Sequence, residues 1–89
     1  MTLYYPAVIE KTEKGFKGSF VDLEHCTAEG ATMEEMLEEL RYAGVTWIQV
    51  EQEDGGFPPE QTHIDDISVG ENQTVSMIAL IMPREGWDE

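Results

Sequence analysis

Apolar and polar residues alternate with two different periods along this chain. From Leu3 to Glu10 the run Leu-Tyr-Tyr-Pro-Ala-Val-Ile-Glu is dense in aromatic and β-branched residues, a polar stretch from Lys11 to Gly15 interrupts it, and an apolar pattern resumes from Phe16 to Val21. That is the signature of a β-hairpin. In its second arm Phe16, Gly18 and Phe20 fall on one face and Lys17 and Ser19 on the other, as in a half-buried strand. A third, shorter strand is expected around Cys26 to Glu29, after Asp22-Leu23-Glu24-His25. From Met33 the period changes. Met33, Met36, Leu37, Leu40, Gly44, Trp47 and Ile48 recur at the spacing of one buried helix face, and Thr32 with Glu35 three positions on forms a capping box at its start. Gly44 on that stripe would let the helix approach a sheet closely, at about 1 kcal/mol of helix propensity. Asp54-Gly55-Gly56, backed by Pro58-Pro59, predicts the stop.

The polar segment from Glu60 to Asn72 carries Ile64, Ile67 and Val69 as its branched apolar anchors and is expected to hold a short strand or a turn. Thr74 to Met82 is apolar on both faces, with Val75, Met77, Ala79 and Ile81 on one and Ile78, Leu80 and Met82 on the other, which predicts a strand in the middle of a sheet. The elements add up to an α+β fold, β-β-β-α-β: a small, mostly antiparallel sheet with one long helix on one face. About 20 helical residues, about 30 Å, cover one face of such a sheet. The first and last strands are apolar on both faces, so the far side calls for a second protein layer. A homodimer or higher homo-oligomer supplies one, and a heterologous partner supplies another.

Composition narrows what that partner is. The chain has 89 residues, read as one domain, 1–89, with 19 Asp and Glu against 5 Lys and Arg and a net charge of −14. Its 40% hydrophobic content, spread throughout, is too apolar for an acidic disordered tail. Clustered cations are what phosphate contacts require, so direct nucleic-acid binding is not expected, and anionic membranes would repel the chain. The charge is uneven: all three Lys lie within the first 17 residues, whereas Gly18 to Pro83 holds only Arg41 against 14 acids. A basic protein surface is its natural complement. Glu34, Glu35, Glu38 and Glu39 also have a structural cause, because the helix dipole favours acids in its first turns.

No basic segment precedes an apolar stretch at the N-terminus and no apolar run is long enough for a membrane span, so the expected location is cytoplasmic. Cys26 is the only cysteine, which excludes an internal disulfide and fits a buried, inert thiol in a reducing compartment. His25-Cys26 and His63-x-Asp65-Asp66 lack the three or four converging ligands of a metal site, and no Gly-rich phosphate loop or cofactor fingerprint is present. No cofactor is expected.

Tyr5-Pro6-Ala7-Val8-Ile9-Glu10-Lys11, Gly15-Phe16, Ser19-Phe20-Val21-Asp22-Leu23, Cys26 and Gly30-Ala31-Thr32-Met33-Glu34-Glu35-Met36-Leu37 together resemble the HicB antitoxin family. The resemblance covers Leu3 to Trp47. It implies a partial RNase H-like fold and an antitoxin role, in which the domain binds a small basic HicA-like toxin that cleaves mRNA and neutralises it by occlusion. The alternative is a solitary homo-oligomeric HicB-like regulatory or structural domain with no cognate toxin. The family's C-terminal DNA-binding domain is not expected within these residues. Where the family loop reads Pro-Asp-Leu-Pro-Gly-Cys, this chain has Val21-Asp22-Leu23-Glu24-His25-Cys26, so its loop geometry is expected to differ. An RNase H-like scaffold also raises metal-dependent nuclease chemistry. Tyr5 to Ile9 offers no metal ligand and Glu10 falls only at the strand's end, so the domain is read as having no catalysis of its own. Asp22, Glu24, Glu29, Glu34 and Glu38 are the acids expected to meet a basic partner, with Trp87 as an aromatic interface candidate; Trp47 is assigned to the core.

Overall fold

The computed structural model describes residues 2–82, and Trp87 lies outside them. The element order is β1 (Thr2–Thr12), β2 (Gly15–Phe20), β3 (Thr27–Gly30), α1 (Met33–Glu53), a single 3-10 turn (Ile64–Asp66) and β4 (Gln73–Ile81). The expected β-β-β-α-β succession is therefore observed. The acidic segment before β4 holds a turn and no strand.

All three strand pairings are antiparallel, and the sheet order is β3-β2-β1-β4. This corrects the expectation for the last strand: β4 is at an edge, and β1 takes the interior position beside it. A proline in an interior strand usually breaks the ladder. Pro6 does not, because its carbonyl accepts from the Val21 N–H (3.1 Å) on the β2 side, and a strand residue's N–H and C=O point the same way. The missing N–H thus faces a stretch where β2 has already turned away, since β1–β2 pairing begins only at Ala7 opposite Phe20.

Tyr5, Ala7 and Ile9 of β1, Phe20 of β2, and Ile78 and Leu80 of β4 are buried together with Met36, Leu40 and Ile48 of α1. The helix seats closely because two glycines face the packing. A Cβ on Gly44 would stand 2.9 Å from side-chain carbons of Leu80 and Phe20, and one on Gly18 would stand 2.7 Å from the Met36 sulfur. Each fully buried Leu, Ile or Met in this layer contributes about 1.5–3 kcal/mol.

Both ends of α1 follow their local signals. Thr32 Oγ1 accepts the Glu35 N–H (3.1 Å), while the Glu35 carboxylate reaches back to the Ala31 N–H (3.2 Å), one residue earlier than in the standard capping box. At the other end Gly55, with φ of +84°, donates to Gln52, and Gly56 donates to Glu51, the paired bonds of a Schellman motif.

The sheet face away from α1 is unevenly covered. Pro6 is fully buried and Val8 and Val75 are half-buried, whereas Tyr4, Met77 and Ile81 remain exposed. The 3-10 turn packs against β4. The surplus apolar surface expected over this whole face is therefore confined to the end where Tyr4 pairs with Ala79 and Thr2 with Ile81.

Candidate protein-binding cleft

The segment between β2 and β3 is held by its own chain. Leu23 is fully buried, its carbonyl accepts the Cys26 N–H (3.1 Å), and the Cys26 carbonyl accepts the Phe20 N–H (3.0 Å). Asp22 is half-buried and both its oxygens serve Thr62, one taking the backbone N–H at 2.8 Å and the other the hydroxyl. The Trp47 indole N–H donates to the Glu24 carbonyl (3.0 Å), tying the loop to the helix.

Between this loop and α1 lies a cleft of about 520 Å³. His25, Cys26 and Thr27 form one wall. Tyr42, Ala43, Thr46, Trp47, Val50 and Glu51 form the other. The spacing of Tyr42, Thr46 and Val50, four residues apart, lines them along one stripe of the helix. Tyr42 and Val50 are exposed at the lip and Cys26 is buried at the wall. Burial pushes the Cys26 thiol above its usual pKa, so it stays protonated at neutral pH and is a packing group, not a nucleophile. Among the described residues no three His, Cys, Asp or Glu side chains converge as a metal site would require. An apolar cleft with a few polar groups at its edge suits the capture of a side chain from another molecule.

The structure does not gather the expected partner-binding residues into one site. Glu24 is exposed beside the cleft. Glu34 and Glu38 are exposed on the flank of α1 that also carries Arg41 and Val45, away from the cleft. Glu29 is exposed on β3 opposite Lys17. Asp22 is engaged by Thr62 within the chain. The cleft itself adds Tyr42, Val50 and Glu51, whose helical spacing on the polar side of α1 was the signal available in the sequence. Trp47 belongs to both regions, half-buried against the core and lining the cleft.

The fold recurs in solved structures. An antitoxin HicB3 crystal structure matches with a TM-score of 0.70 at 26% sequence identity, over 85% of this chain and 60% of that one. A chain of a HicA3 and HicB3 toxin-antitoxin complex matches with a TM-score of 0.66, also at 26% identity, over 84% of this chain and 94% of that one. In fold the chain is similar to the HicB antitoxins. The N-terminal domain of Burkholderia pseudomallei antitoxin HicB shares the fold, with a TM-score of 0.69 at 14% identity over 85% of this chain and 95% of that one. No family model and no curated protein matches the sequence.

Position 25, where this chain departs from the loop expected from the resemblance, has an unusual backbone. His25, where the family resemblance places glycine, is the one described non-glycine residue with positive φ, at +62°. The backbone there holds a conformation that glycine adopts without strain. The left-handed region costs a side-chain-bearing residue about 1–2 kcal/mol, part of which glycine loses again through its freer unfolded chain. His25→Gly is accordingly expected to stabilise the domain by about 0.5–1 kcal/mol, raising Tm by about 2–8 °C in a calorimetric scan. An unchanged or lower Tm would show that the imidazole repays its backbone strain.

Proposed function

We propose that this domain is an antitoxin-type module that binds a small basic HicA-like toxin and neutralises it by occluding its RNA-binding surface. The observation that carries the reading is the match, at 26% identity over 84% of the chain, to a chain of a toxin-antitoxin complex. The physical properties of the surface agree with it. The cleft accepts an apolar side chain, while Glu24 and Glu51 beside it, and Glu39 and Glu53 along the same flank of α1, meet flanking Lys or Arg. A net charge of −14 steers a basic partner toward this surface and competes with RNA for the same cations. The domain needs no reactive group for this role.

The test is co-expression with a small Lys- and Arg-rich protein encoded next to this chain's gene. A stable complex is expected, with relief of the growth arrest that the basic protein causes alone and an affinity that falls at least tenfold between low and high salt. Tyr42→Glu combined with Val50→Glu, both at exposed positions, should weaken the complex at least tenfold with an unchanged circular dichroism spectrum. If neither complex nor relief appears, the antitoxin reading fails.

A further inference from the structure

We infer that the outer edge of β3 takes up an extended segment of a basic partner protein, which adds as a fifth strand and sets alternate apolar side chains into the cleft beside α1. The direction of the backbone groups carries this. The Phe20 N–H donates to the Cys26 carbonyl, and the pairing continues with Gly18 opposite Ala28 and Phe16 opposite Gly30. In an antiparallel ladder every second pair exchanges both hydrogen bonds, so Ala28 and Gly30 turn theirs to β2. Thr27 and Glu29 therefore direct two N–H and two C=O groups outward, and none of the four has a partner among the described residues. This edge lies on the opposite side of the sheet from β4.

The cleft opens onto it. A Cβ on Gly18 would meet Met36 and Leu40, which puts Gly18 and its partner Ala28 on the helix side of the sheet and Thr27 on the other. Thr27 nonetheless lines the cleft with His25 and Cys26, so it does so through its main chain. In a strand added here, the residues opposite Cys26 and Ala28 share the helix side and turn toward Tyr42, Ala43 and Trp47. Those opposite Thr27 and Glu29 turn the other way, beside the Glu29 carboxylate. In strand addition the main chain supplies affinity and pockets for alternate side chains supply specificity, and this edge has both.

Charge decides the occupant. A short edge strand that carries an acid discourages pairing with its own kind, and a second copy brings a charge of −14. Glu29 is exposed and, although Lys17 lies opposite it on β2, makes no ion pair among the described residues. Glu51 lines the cleft and Glu24 is exposed beside it. A segment in which Lys or Arg alternates with large apolar residues meets both features, its cations at Glu29 and its apolar side chains in the cleft. The source of that segment rests on the antitoxin reading; its chemistry does not.

Amide hydrogen exchange of the full chain, read by NMR, tests this with the peptide acetyl-Lys-Leu-Lys-Leu-Lys amide at about 1 mM. In the chain alone Thr27 and Glu29 should exchange faster than Ala28, whose N–H faces β2. With the peptide both should slow about threefold or more. N-methylation of the middle Lys should abolish that protection and N-methylation of a Leu should not, because only the Lys N–H points to β3. Glu29→Pro removes one outward N–H at an edge position that tolerates proline, and it should abolish protection of Thr27 with an unchanged circular dichroism spectrum. Glu29→Lys keeps the backbone and should weaken the peptide's effect, which preserves a readout if the proline variant fails to fold. Thr27 and Glu29 already protected in the chain alone overturn the proposal, as does a peptide that gives no protection or protects equally when its middle Lys is N-methylated. A complex with the co-expressed basic protein that Glu29→Pro leaves equally tight overturns it while the antitoxin reading stands. Peptide protection without any such complex supports the edge and fails the antitoxin reading.

Discussion

Gly15→Ala is expected to destabilise the domain by about 4 kcal/mol, adding roughly 1–2 for the backbone conformation to the upper part of the overpacking range. Gly15 has a φ of +147°, and a Cβ there would stand 2.2 Å from the Gly30 carbonyl oxygen and 2.8 Å from the Ala31 Cα. Both neighbours are backbone at the point where β3 passes into α1, so no rotamer change relieves the clash. Gly30 repeats the situation from the other side, its added Cβ falling 2.5 Å from the Met36 amide nitrogen. A domain of this length is stabilised by only about 4–13 kcal/mol. The expected fall in Tm is about 15–30 °C, read by thermal scan or urea titration. Gly30→Ala should cost nearly as much, and the double variant less than the sum, because separating β3 from the first turn of α1 relieves both contacts. Gly44→Ala is the contrast. Its clashes are with the side chains of Leu80 and Phe20, which have rotamers to use, and alanine returns about 1 kcal/mol of helix propensity. A Tm for Gly15→Ala within about 4 °C of the parent would show that the β3–α1 junction yields easily.

That contrast also marks what the sequence revealed. The hairpin, the helix and its two ends were legible because each is written within a few residues: Phe16-Gly18-Phe20, Thr32 with Glu35, and Asp54-Gly55-Gly56. Gly44 was legible because it falls on the apolar stripe of its own helix. The more demanding glycines were not, since Gly15 and Gly30 constrain each other only after β2 and β3 have paired. The place of β4 was misjudged for a related reason. Apolar residues on both faces of a strand report that both faces want cover, but they do not say whether the strand's two edges are occupied. The candidate surface was hidden in the same way. Tyr42 and Val50 look like stray apolar residues on an acidic helix until the loop at His25 supplies the facing wall, and Asp22 looks like a local turn residue until Thr62, 40 positions away, arrives beside it.

Asp22 therefore separates two roles in one experiment. As a partner-facing acid it would affect only binding when changed. As placed, its carboxylate receives the Thr62 amide and hydroxyl, while the neighbouring stretch is held by the Tyr5 hydroxyl donating to the Pro59 carbonyl (2.6 Å) and by the Gln61 side chain donating to the Tyr4 carbonyl. Burial, and then the Asp22 charge, push the Tyr5 hydroxyl above its usual pKa, which keeps it a donor through the neutral range. Asp22→Ala removes a charged acceptor and strands a half-buried amide, which typically costs about 2 kcal/mol. The expected outcome is a Tm lowered by about 8–16 °C, with hydrogen exchange accelerated over residues 57–67 before the core strands respond. Thr62→Val should produce a smaller loss, and the double variant should show coupling of about 1 kcal/mol or more. Weakened partner binding with unchanged stability would instead move Asp22 to the binding surface and leave the 57–62 segment held by Tyr5 and Gln61 alone.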